Sequence, residues 1–218
     1  MGTDIHAALE WRKNGQWHAL TFKNKYFGRW GDVPEFSARL DLNRDYDMFA
    51  LLGNVRNGTA SAGCVTGTRF DSISDHRGVP DDISAEAKAV LSNEHSSTWV
   101  TLSEILAFDW RKATEHQGYV TPQEFKKWQR NKQWQPEPES WCGDVSGAHI
   151  QKISNEQMQV YVASKDVDFD HNLYTLVCWG ESYADAGRQI WSKILPHALA
   201  LGAVYGFDNV RLVMDFDS

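Results

Sequence analysis

Asp4 and His6 stand two residues apart in residues 3–13, where apolar and polar side chains alternate. At strand periodicity both leave the same face. Asp215 and Asp217 repeat that spacing in residues 210–217, opposite an apolar set of Val210, Leu212, Met214 and Phe216. If this last strand pairs beside the first, one imidazole meets three carboxylates. Such a set suits a divalent cation, held by Asp4, His6, Asp215 and Asp217, or acid–base work by His6. It equally suits the solvated side of a sheet whose other side is core. Glu10, further along the strand, is assigned to neither arrangement.

A second concentration is Glu94-His95-Ser96-Ser97-Thr98-Trp99. Here His95 is a candidate proton carrier or ligand donor, Ser96 suits phosphate or ribose contacts, and Trp99 offers a stacking surface. The competing reading has the hydroxyls cap a helix and Trp99 anchor it. Three guanidiniums complete the inventory: Arg77 at a Gly-Pro turn, with Arg44 and Arg56 flanking a short predicted helix. Each is a candidate for bidentate capture of a phosphate or carboxylate; the competing reading is a surface turn with solvated charges for Arg77 and ordinary ion pairing with Asp45 or Asp47 for Arg44 and Arg56.

Several chemistries are excluded. The interval Gly58 to Gly63 has P-loop glycine spacing, but Cys64-Val65 replaces the Lys-Ser/Thr pair that binds phosphate and metal. There is no GxGxxG and no GxSxG elbow. His116, His149, His171 and His197 lack HExxH-type spacing. Cys64, Cys142 and Cys178 are odd in number and far apart, which suits reduced thiols and not a disulfide frame.

The elements that must position these residues follow from pattern and punctuation. Asn14-Gly15 favours a type I′ turn and predicts a hairpin with Trp11 opposite His18, returning over residues 16–23. Asn43 or Asp45 caps a short helix that Gly53 can end. Thr101-x-x-Glu104 and Thr121-Pro122-x-Glu124 read as capping boxes. Residues 158–163 and 173–179 read as strands. A long amphipathic stretch contains Ile190, Ile194 and Ala198, with Pro196 expected to kink it. The expectation is a single α+β domain over 1–218 with a largely antiparallel sheet that includes the N-terminal hairpin and the C-terminal strand, and with helices packed on it. Long irregular loops fall at about 54–82, a candidate ligand-covering segment, and about 135–147.

The chain's 218 residues carry a formal charge of −7, which argues against general binding to nucleic-acid backbones. No apolar run approaches the ~20 residues of a membrane helix, and the N-terminus lacks the basic-then-apolar order of a secretory signal. Ten Trp is an unusual store of flat rings, which suits both core packing and stacking on a ring-bearing ligand.

The opening Met1-Gly2-Thr3-Asp4-Ile5-His6 resembles a family of uncharacterised bacteriophage and prophage proteins that begin MG-C-DIH. Similar matches are Asn43-Arg44-Asp45-Tyr46 with Val55-Arg56, the turn from Arg77 to Asp82, His95-Ser96-Ser97-Thr98-Trp99, and the final VR-x-V-x-x-FD. Thr3 replaces the family's usual Cys, and Thr98 its usual Ser. The resemblance implies a phage accessory role, including action against host defence, in the cytoplasm of a bacterial host. Three functions are therefore expected as alternatives. The first is capture of a nucleotide-like small molecule, the second its hydrolysis through a divalent metal or His6 and His95, and the third inhibition of a host protein.

Overall fold

Asn14 and Gly15 both hold positive φ, 52° and 81°, and join β1 (Ile5–Lys13) to β2 (Gln16–Ala19). In the computed structural model Trp11 faces His18 and Lys13 faces Gln16, the register the turn dictates. The returning strand ends at Ala19, short of residue 23. β3 (Phe22–Lys23) leaves the hairpin and pairs with β4 (Phe36–Ser37) as a separate ribbon. The structure describes residues 2–29, 34–58, 69–92, 95–130, 137–165 and 169–217.

α1 (Tyr46–Gly53) starts at Asp45, whose carboxylate accepts from the Met48 N–H, and ends on Asn54 in the left-handed region. α2 (Ala85–Lys88), β5 (His95–Thr101) and α3 (Leu102–Ala107) follow, with Thr101 and Glu104 forming the expected capping box. The segment around His95 thus joins a sheet instead of merely preceding a helix. Next come β6 (Ala113–Val120), α4 (Pro122–Arg130), β7 (Gln151–Ile153), α5 (Asn155–Ala163) and β8 (Leu173–Ser182). The chain continues through α6 (Tyr183–Ala186), a π-helical turn (Ile190–Ile194), α7 (Leu195–Tyr205), a 3-10 turn (Phe207–Asn209) and β9 (Val210–Phe216).

The fold is α+β, and its main sheet is antiparallel in the order β2–β1–β9–β5. Within the chain two compact units form. The first comprises Met1–Asn57, Asp71–Trp110 and Ala186–Ser218, and contains this sheet. Ala7, Leu9, Leu212, Met214 and Phe216 line one face and pack on Phe49, Ile105, Ile190 and Ile194. The opposite face is covered too. Ala8 packs there with Ala38 and Ala87, and Glu10, Arg211 and Asp215 are buried with them.

The second unit, Gly58–Phe70 with Arg111–Asp185, has β8 between antiparallel β6 and parallel β7. Its core gathers Val120, Phe125, Met158, Val177 and Trp179. Residues 158–163, expected as a strand, belong to helix α5. Ser154 and Gln157 form a capping box, and Met158 and Val162 are buried four apart while Val160 is 71% exposed. Helical spacing of two apolar residues outweighs the β-branched composition that suggested a strand.

Pro196 does not kink a continuous helix. It sits in the first turn of α7, directly after the π-helical turn. Lacking an N–H, it fits where a helix needs none, and the widened turn before it leaves room for its ring.

Candidate functional site

β1 and β9 pair antiparallel with His6 opposite Asp215, so Asp4, His6, Asp215 and Asp217 do reach one face. His6 Nε2 lies 2.9 Å from Asp217 Oδ2. The Asp4 N–H donates to the other Asp217 oxygen at 2.9 Å, and the Asp217 N–H donates to the Asp4 carbonyl. The His6 hydrogen bond holds the Asp217 carboxyl below its ordinary range. Arg44 grips both oxygens of Asp4 at 2.9 and 2.8 Å and lowers that carboxyl likewise. Asp215 is fully buried and accepts from the Ser92 N–H and hydroxyl, one on each oxygen. With their oxygens committed in these ways, Asp4, His6, Asp215 and Asp217 do not gather three ligand atoms within 4.8 Å of one another.

The remaining expected ligand-binding groups are also tied to the protein. Arg56 Nε donates to Thr3 Oγ1 at 2.9 Å. Arg77 forks onto Glu104 at 3.1 and 2.7 Å, donates to the Trp99 carbonyl and stacks 5.0 Å from the Trp99 ring. Burial alone would raise the Glu104 carboxyl, but its bonds to Arg77 and Thr101 bring it below the usual range. His95 Nδ1 meets Ser96 Oγ at 2.9 Å, and Ser96 carries a positive φ of 56° at an irregularity in the β5–β9 pairing. His95 and His6 flank β9 from opposite sides, in register with Phe216 and Asp215 respectively. Successive strand residues point to opposite faces, so regular pairing does not converge these two imidazoles.

Of the expected covering loop over 54–82, residues 59–68 lie outside the described residues, as do 135 and 136 of the second loop. Residues 74–78 dock on β5 through the Ser74 and Thr98 hydroxyls at 3.0 Å and the Gly78 N–H to the Ser97 carbonyl.

Two arrangements escaped the sequence reading. The first is a buried polar chain under α2. Arg211 Nε donates to Glu10 at 2.7 Å, its Nη1 donates to Asp82 at 2.8 Å, and its guanidinium lies 3.9 Å from the Trp17 ring centroid. Asp82 also accepts from the Trp17 indole, and Glu10 accepts from the Ser84 N–H. Glu10 therefore shares a face with His6 but serves a separate, structural network.

The second is an open cavity of about 740 Å³ in the first unit, between the β3–β4 ribbon and the start of α7. Lys23, Lys25, Arg39 and Lys193 line it against one carboxylate, Asp41. Asp41 is held by Lys25 at 3.0 Å, each shifting the other toward its charged form, and Lys193 donates to the Asp41 carbonyl at 2.7 Å. Phe22, Tyr26 and His197 contribute rings, with Phe22 meeting His197 edge-on at 5.1 Å. Lys193 and Ser192 come from the π-helical turn, a departure from α geometry that frequently marks functional sites. One signal was in view. Residues 22–29, FKNKYFGR, interleave cations with rings. None of the expected ligand-binding residues lines this cavity.

No family model, curated protein or solved structure matches the chain.

Proposed function

We propose that the protein captures a nucleotide-like anion in the cavity between the β3–β4 ribbon and α7, as a phage accessory protein that blunts host defence. The observation that carries this reading is four permanent cations around one hollow on a chain of net charge −7. That concentration runs against the overall charge, and it focuses anions locally. The volume falls in the ordinary range for small-molecule sites, roughly 300–1,000 Å³. Rings beside the cations favour a ligand with a flat base over a bare inorganic anion.

Hydrolysis is the second reading, and one contact favours it. The His6–Asp217 pair fixes the imidazole through Nε2, with the His6 side chain 14% exposed, as a general base held by a carboxylate would be.

Calorimetric titration with AMP and ADP tests capture. Arg39→Ala and Lys193→Ala are expected to weaken ADP roughly tenfold each, the scale of a lost charge-assisted hydrogen bond. Arg44→Ala, whose guanidinium is already spent on Asp4, is expected to leave ADP binding unchanged. Chromatography of the ligand after denaturing the protein separates the readings: intact nucleotide supports capture, and fragments that disappear with His6→Ala support hydrolysis. Absence of binding by either nucleotide overturns both.

A further inference from the structure

Exposed rings stand at and beside the cavity, with Tyr26 in its lining and Phe27 and Phe36 next in sequence to lining residues. Tyr26, Phe27 and Phe36 are 48%, 49% and 56% exposed, three large rings at one end of one ribbon. The Asn24 N–H to Glu35 carbonyl bond at 2.7 Å extends the β3–β4 pairing toward them, and a tight turn follows, with the Phe27 N–H bonded to the Asn24 carbonyl. Cations accompany these rings in pairs. Lys23 is directly opposite Phe36, so both side chains leave the same face of the ribbon. Lys25 lies 5.4 Å from the Tyr26 ring centroid.

We infer that this site takes two consecutive nucleotides joined by a phosphodiester. The inference rests on the binding reading above and deepens it. Each unit of such a ligand presents one backbone charge and one flat face, and each ring–cation pair answers both. Arg39 and Lys193 remain for a terminal phosphate. Arg39 makes no ion pair within 4.0 Å among the described residues, although its charge reaches Asp41 and Asp217, and Lys193 spends one of its three N–H donors on the Asp41 carbonyl. Both lysines already face a carboxylate, Lys25 at Asp41 and Lys23 at Glu35, 3.9 Å away, but all four side chains are 47–82% exposed, so these pairs compete only weakly with a phosphate. The ring–cation pattern is indifferent to base identity, since every base has a π face. Free dinucleotides and single-strand ends share this chemistry.

The test is calorimetric titration of the full chain with AMP, the 5′-phosphorylated diadenylate pApA, and the 5′-phosphorylated hexa-adenylate. The expected result is pApA binding at least tenfold tighter than AMP, with Phe36→Ala and Tyr26→Ala each removing most of that gap. Both rings are exposed, so the variants keep the fold. A hexa-adenylate that binds like pApA identifies a free dinucleotide as the natural source. One that binds tighter still, with a steeper loss in salt, identifies a strand end. Equal affinity for AMP and pApA overturns this inference and leaves the binding reading intact, as does a gap that survives both ring variants. Failure of all three ligands to bind overturns both.

Discussion

Glu10 and Arg211, 201 positions apart in sequence, meet at 2.7 Å with side chains 0% and 4% exposed. Their pairing crosses β1 and β9 at directly opposed positions, and it explains how a polar sheet face tolerates being covered by α2. Removing Glu10 leaves the buried Arg211 with Asp82, a 59% exposed carboxylate, as its remaining ion-pair partner. Glu10→Ala is expected to destabilise the protein by about 3–5 kcal/mol, and Glu10→Met with Arg211→Met by clearly less, because the pair's desolvation penalty goes with it. Urea unfolding midpoints of the two variants check the order.

Acid should loosen the junction of β1 and β9. Asp217 and Asp4 both titrate below their ordinary value of 3.8, the first through His6 and the second through Arg44. A carboxyl depressed in the folded state stabilises fully above its unfolded value, and that stability is lost as pH falls through the folded one. Urea midpoints are therefore expected to drop from about pH 4 downward, and Asp217→Asn to make that limb shallower. A limb of unchanged steepness in the variant refutes the assignment.

Helix α5 depends on its first turn. Ser154→Ala removes the side chain that accepts from the Gln157 N–H, and is expected to cost about 1 kcal/mol, read as a lowered thermal midpoint.

That helix also marks where sequence reading reached its limit. The hairpin was legible because Asn14-Gly15 and the apolar alternation specify one register, and α1, α3 and α4 were legible because their caps are local. Two matching alternations marked β1 and β9 as strands, but their pairing entered the sequence argument only as a condition, which the fold meets. Residues 158–163 misled because Val160, Tyr161 and Val162 look like a strand, whereas the deciding information lies four residues upstream in Ser154. The expected site was half legible. Asp4, His6, Asp215 and Asp217 reach one face, but His95 does not join them, and Arg44, Arg56 and Arg77 find partners at Asp4, Thr3 and Glu104 that no local pattern announces. The cavity was hidden for a related reason: residues near 23, 39 and 193 meet only after folding.

Close approach at Gly202 makes a further test. A Cβ added there would lie 2.5 Å from Phe207 and 2.7 Å from the buried Leu102, so α7 would have to lift from α3. Gly202→Ala is expected to destabilise by about 1–3 kcal/mol despite its better helix propensity, and a thermal melt checks the sign.

β9 lies between β1 and β5, yet it follows them in the chain by more than a hundred residues. On the ribosome both neighbours emerge with an open edge toward a strand not yet made, and every segment of the second unit is synthesised before that strand follows. The first unit therefore closes last, and two unpaired edges must stay unaggregated through that delay.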